Sequence, residues 1–285
     1  MRQRQLPRHT HLFLSPHPDD VALSCGALVA QFYAHFERVV IATCYGGAGS
    51  LRHLTPYQKE ALGFATHSAA LTPAGVMEER ASEDRAFAEV MGAELIALGL
   101  PDAVFRGYDG EEALLGPPRD DDPPPTSALA ELLHSVRPDV VYVPLSIGGH
   151  IDHRQVFRAG VFELAGGRAG SFSEKDCRAV FYEDFPYAWW DDFRGLDQLR
   201  PDQAELLEPA FELKPEYVDV PEPLAHKKLR GIKSYDSQIA RLFGTDPEME
   251  AAIRERARIV GEAGGFESAE RYWRAERRRV ARKAS

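Results

Sequence analysis

Short apolar runs alternate with helical patterns over the first two-thirds of the chain, and this constrains the fold more than any other feature. Strands are predicted over 11–16, 39–44, 95–100, 140–145 and 179–182. Helices are predicted over 22–36, 77–91, 127–136 and 153–165. In the first helix Leu23, Ala27, Leu28, Ala30 and Phe32 cover one face. This order of elements predicts an α/β fold: a mostly parallel sheet with helices on both faces.

Past Phe185 the alternation is lost. An aromatic run, Tyr187-Ala188-Trp189-Trp190, precedes helical patterns over 224–242 and 247–261. The Arg-rich stretch 271–279 reads as a solvated helix or a frayed end. The 285 residues suffice for one large domain or a domain with an appendage. We expect a core over 1–185 and a mainly helical C-terminal extension over 186–285 packed on it, as a single domain.

Two long connections interrupt the core. The one over 45–76 opens with Gly46-Gly47-Ala48-Gly49-Ser50, and Thr55-Pro56 can start a short helix inside it. Loops of this length are usually functional, so we expect a lid over the site. The second, 116–125, reads GPPRDDDPPP. Its prolines exclude a helix or a central strand, and its aspartates read as a solvated loop rather than a metal site.

A net charge of −10 argues against a nucleic-acid partner. Cys25, Cys44 and Cys177 form no CxxC pair and predict no disulfide framework, which suits a reducing compartment. The N-terminal stretch does not read as a signal peptide, and no membrane span is expected. The resulting expectation is a cytoplasmic protein.

Two polar clusters follow predicted strands. Ser15-Pro16-His17-Pro18-Asp19-Asp20 follows the first, and Gly148-Gly149-His150-Ile151-Asp152-His153 follows the fourth. Ligands bind at such strand ends in open α/β sheets. A catalytic zinc needs about three protein ligands and one open position, and His17, Asp20 and His153 can supply them. Asp19 is then left over as general base. His150 would face the open side as general acid or oxyanion stabiliser, with Asp152 holding its tautomer and raising its pKa. Each cluster alone also reads as a helix N-cap. Their pairing, with complementary ligand types at two strand ends, favours the metal.

These residues resemble the LmbE-like, or PIG-L, deacetylases, whose signature is a PHPDD-type turn followed about 130 residues later by an HxDH turn. Here the turns are Pro16-His17-Pro18-Asp19-Asp20 and His150-Ile151-Asp152-His153. Arg80-Ala81-Ser82-Glu83-Asp84 is similar to the family's arginine-and-acid helix, and 228–238 to its late helix. The resemblance covers about 10–185. It implies a Rossmann-like fold and hydrolytic removal of an N-acetyl group from an amino sugar by zinc-activated water. It further implies His17, Asp20 and His153 as metal ligands, Asp19 as base, His150 oriented by Asp152, and Arg80 holding the substrate. Fe2+ could replace Zn2+. The family often has glutamate where this chain has Val21, a position outside the ligand pattern.

Two rivals remain. One is a non-catalytic sugar-binding or regulatory protein on the same fold. The other is a non-haem Fe(II) oxygenase built on the His150-Ile151-Asp152 pair. A dinucleotide-binding protein is disfavoured, because no GxGxxG follows the first strand.

Overall fold

The structure is a computed structural model that describes residues 9–50, 53–62, 72–167 and 177–278. In β1 (Thr10–Ser15), Leu12 and Leu14 point to one face and Phe13 to the other, and all three are buried. Such a strand belongs in the middle of a sheet covered on both sides. It pairs in parallel with β2 (Arg38–Thr43) and with β4 (Val140–Pro144). β3 (Glu94–Ala97) adds beyond β2, and β5 (Arg178–Tyr182) beyond β4, both in parallel.

Eleven α-helices are present among the described residues. They are α1 (Asp20–Ala34), α2 (Pro56–Ala61), α3 (Pro73–Met91), α4 (Glu111–Leu115), α5 (Thr126–Val136) and α6 (Ile151–Leu164). Then come α7 (Tyr187–Trp190), α8 (Pro201–Leu207), α9 (Glu222–Ile232), α10 (Asp236–Leu242) and α11 (Asp246–Gly264). On one sheet face Leu12, Val40, Val141 and Val143 pack on Leu129 and Leu133 of α5 and Phe157 of α6. On the other, Phe13, Ile41 and Tyr142 pack among Leu28 and Val29 of α1, Phe87 of α3, Leu229 of α9 and Ile253 of α11. Helix α9 lies close on α1 because residue 26 is glycine: a Cβ there would stand 2.8 Å from Lys228 Cγ.

The C-terminal part departs from expectation in two places. The region 224–242 is two helices, α9 and α10, with a turn between them. The Arg-rich tail is no solvated helix. Its described part is β7 (Ala269–Arg277), antiparallel to β5, with β6 (Phe211–Asp219) antiparallel at its other side. The full order is β3-β2-β1-β4-β5-β7-β6. Tyr272 and Trp273 bury on opposite faces of the sheet, while Arg271 and Arg274 find Glu183 and Glu216 on neighbouring segments. Those carboxylates are distant in sequence, so the run looked like solvated charge. Arg279 lies outside the described residues, as do 51–52 and 63–71 of the expected lid.

Three cysteines, all buried, are free. Among the described residues no helix is long and apolar enough to cross a membrane. From β1 the chain winds one way to β2 and β3, and from β4 the other way to β5. The connections leaving β1 and β4 therefore part, and a crevice opens at their carboxyl ends. Both polar clusters lie there.

Candidate metal centre

The turn after β1 is closed by its own side chains. Ser15 Oγ donates to the His17 carbonyl at 2.7 Å, and Asp20 Oδ2 accepts from the His17 amide at 2.7 Å. Asp19 stands at the N-cap of α1, yet its side chain caps nothing and its φ is 103°. A non-glycine residue at positive φ costs about 1–3 kcal/mol and is found most at functional sites. The helix-cap reading of Asp19 therefore fails.

Asp20 is where the two clusters meet. Its Oδ2 lies 3.3 Å from His17 Nδ1 and 3.3 Å from His153 Nε2. The far nitrogen of each ring is held by another carboxylate. His17 Nε2 bonds Asp152 Oδ2 at 2.9 Å, and His153 Nδ1 bonds Asp184 Oδ1 at 2.6 Å. Asp184 is anchored in turn by the Ile147 amide at 3.0 Å. A carboxylate behind an imidazole fixes its tautomer and leaves the near nitrogen as a ligand. Donor atoms 3.3 Å apart match the edge of a tetrahedron with bonds of about 2.0–2.1 Å. The His/Asp set thus fits a divalent metal. The ring nitrogens of His17, His150 and His153 also lie within 4.8 Å of one another.

A second convergence, His17 with Asp102 and Asp152, is the poorer metal site. Asp152 is already committed there to His17, to the Ala103 amide at 3.0 Å and to Arg106 at 2.6 Å.

The electrostatics suit a cation. Burial alone would lower the His17 pKa, but its bonds to Asp152 and Asp20 win and carry it up to about 10. His153 is also raised, with Asp20 and Asp184 outweighing burial. Asp19 is raised as well: burial first, then the charge of Asp20, push its carboxyl up to about 7. A carboxyl near neutrality is poised to take and return a proton.

The expected role of Asp152 toward His150 is corrected. The Asp152 carboxylate faces His17 and Arg106, and only its backbone amide reaches His150, at 3.3 Å to Nδ1. Burial and then His17 push the His150 pKa well down rather than up. His150 is half-buried, with Nδ1 as acceptor, so its neutral form carries the proton on Nε2.

Residues 12–162 match the family model described as PIG-L: GlcNAc-PI de-N-acetylase. The chain belongs to this family. The 2'-N-acetylparomamine deacetylase of Streptomyces fradiae is 32% identical over 84% of this chain and 76% of its own length. The 1D-myo-inositol 2-acetamido-2-deoxy-alpha-D-glucopyranoside deacetylase of Thermomonospora curvata is 30% identical over 60% of this chain and 58% of its own. The zinc inhibited form of teicoplanin deacetylase Orf2 superposes with a TM-score of 0.73 at 21% identity, covering 95% of this chain and 100% of that one. At that identity the likeness speaks for the fold alone. As a PIG-L family member the chain is a deacetylase, a hydrolase acting on a linear amide. Membership of a deacetylase family counts against the oxygenase rival.

The PIG-L clusters open into a cleft of about 420 Å³ lined by Asp19, Arg80, Asp102, His150, Tyr187 and Trp190, among others. Arg80 is buried, with Nη2 donating to the Pro18 carbonyl at 3.4 Å, Nη1 at 3.8 Å from Asp102, and Nε unpartnered. The described start of the long loop is pinned to the segment after β3: Gly47 bonds the Leu100 carbonyl, and the Asp102 amide bonds Gly47. Tyr57 and Glu60 of α2 line the cleft. In the proline-rich run Asp122 is no solvated charge; it pairs with Arg106 at 3.1 Å and accepts from Tyr108 Oη at 2.9 Å.

Sequence reasoning gave Asp184 no role beyond shaping the pocket and assigned none to Asp102 or Arg106. The first two had one signal: each lies just past a predicted strand, on the ligand-binding edge of the sheet. Arg106 had none.

Proposed function

We propose that this chain removes the N-acetyl group from an amino-sugar conjugate, with His17, Asp20 and His153 holding one divalent metal, most simply Zn2+. Two imidazoles and one carboxylate, each imidazole backed by its own carboxylate, carry this reading. Two imidazoles and a carboxylate also suit Fe2+. A bound zinc supplies Lewis acidity, lowering the pKa of a water and polarising the acetamide carbonyl.

The chain's own groups do the rest. Asp19 takes the proton of the attacking water as its oxygen bonds to the acetamide carbon. His150 Nε2–H donates to the developing oxyanion, a contact typically worth about 3–4 kcal/mol of barrier. The C–N bond then breaks, Asp19 returns the proton to the amine, and acetate and the free amino sugar leave. Arg80, in the lining of the cleft, orients the sugar. Its near neighbour Asp102 adds an acceptor for a sugar hydroxyl.

The test is mass-spectrometric acetate release over a panel of N-acetylglucosaminyl glycosides, with metal analysis of the same sample. Acetate release tracking metal content is expected. A fully loaded protein that deacetylates nothing in the panel would favour the non-catalytic rival.

A further inference from the structure

The cleft has an aromatic wall that the chemistry above does not use. Tyr187 stands edge-on to His153, with ring centroids 5.3 Å apart and planes at 82°. The second cluster's glycine leaves room for it: a Cβ on Gly148 would stand 2.2 Å from Tyr187 Cδ1. One turn on, Trp190 stands edge-on to Tyr187, with centroids 5.7 Å apart. Two such steps keep the indole within about 11 Å of the His153 ring.

Trp190 is nevertheless 52% exposed. The chain's other tryptophans are not presented this way: Trp273 is buried and donates to Glu183, and Trp189 packs against the core. Leu115, 39% exposed, lines the same cleft. Single exposed apolar residues mean little, but two that line one cleft beside convergent polar groups mark a ligand surface.

We propose that Trp190 is the stacking platform for a second ring of the substrate, a sugar or cyclitol glycosidically linked to the ring bearing the acetamide. The first ring fills the step beside His153 and Tyr187, and the next lies against the indole. The C–H edges of a cyclic polyol make an apolar face, and burying it on an indole is favourable while its hydroxyls stay wet. The preferred substrate is then a two-ring glycoside rather than the free monosaccharide. This rests on the deacetylase reading.

The test compares kcat/KM of the metal-loaded protein on N-acetylglucosamine and on 2'-N-acetylparomamine. W190A should lower the two-ring to one-ring ratio about tenfold, mostly through KM, and W190F should retain most of it. A ratio within twofold of wild type in W190A overturns the platform. Fluorescence titration of the Asp19→Asn protein with the two-ring compound gives a second readout. Quenching is expected, and it should vanish when W190F is added; quenching that survives W190F also overturns the platform. Wild-type protein that releases acetate from neither compound, nor from any glycoside of the panel above, sinks the deacetylase reading, and the titration still decides the platform.

Discussion

Arg106 should matter more to stability and metal affinity than its distance from Asp20 suggests. Its guanidinium donates to Asp152 Oδ1 at 2.6 Å and grips Asp122 with two bonds at 3.1 Å, while lying 4.5 Å over the Tyr45 ring. The Asp152 side chain is fully buried and that of Arg106 is 14% exposed, so water screens the pair little. Arg106→Met keeps much of the volume and removes the charge. Breaking a buried pair from one side costs about 3–5 kcal/mol. Asp152 keeps His17 and the Ala103 amide, so the lower end, about 3 kcal/mol, is expected. That is a large share of a typical total of about 5–15 kcal/mol. For a chain of this size it corresponds to a fall in Tm of roughly 6 °C. Because Asp152 orients the His17 ring, zinc affinity should drop about 10-fold or more. Urea denaturation followed by circular dichroism, with zinc titration of the same protein, measures both. In R106M/D152N the stability loss should shrink by half or more, since a neutral amide needs no cation. A cost below about 1 kcal/mol in R106M, or strict additivity in the double variant, would refute the claim that Arg106 is there to neutralise Asp152.

Asp19→Asn should keep stoichiometric zinc yet lose about 10²–10⁴-fold in turnover, the usual worth of a general base; near-wild-type kcat would move the base elsewhere. His153→Ala should leave the purified protein without metal, and one equivalent of zinc in that variant would contradict its place as ligand. His11 titrates against folding. It stacks on Phe32 at 3.7 Å and is buried, and burial pushes its imidazole from 6.5 down to about 4. Below 6.5 the unfolded chain takes up this proton first, so His11 should subtract stability as pH falls from about 6.5 to 4 and have no such effect above. The loss should be about 1–3 kcal/mol. His11→Phe should be the less pH-sensitive protein across that window by urea midpoint, and parallel curves would contradict this.

Sequence alone reached the parallel half of the sheet and its covering helices. Strands such as Val140–Pro144 are buried on both faces and so read as unbroken apolar runs. It also reached both polar clusters, because their residue types and their places after strands carry chemical meaning without a contact map. It missed β6 and β7, whose charged residues are interspersed with apolar ones and find partners on neighbouring segments, Arg271 on Glu183 and Arg274 on Glu216. It ran α9 into α10, since neither glycine nor proline marks the turn at Lys233-Ser234-Tyr235.

What the sequence determined by itself was therefore local: which segments form the parallel strands, and that His17, Asp19, Asp20, His150 and His153 sit at strand ends. The tertiary structure decided which groups partner which. Asp152, adjacent to His153 and two residues from His150, turns its carboxylate to His17 and Arg106 instead. His153 draws its support from Asp184, just past the end of β5, and His150 is left neutral. Chain order fixes only which side chains are neighbours along a turn. The direction a buried carboxylate faces is set by which cation or N–H it must meet once water is gone, and those partners arrive from other strands.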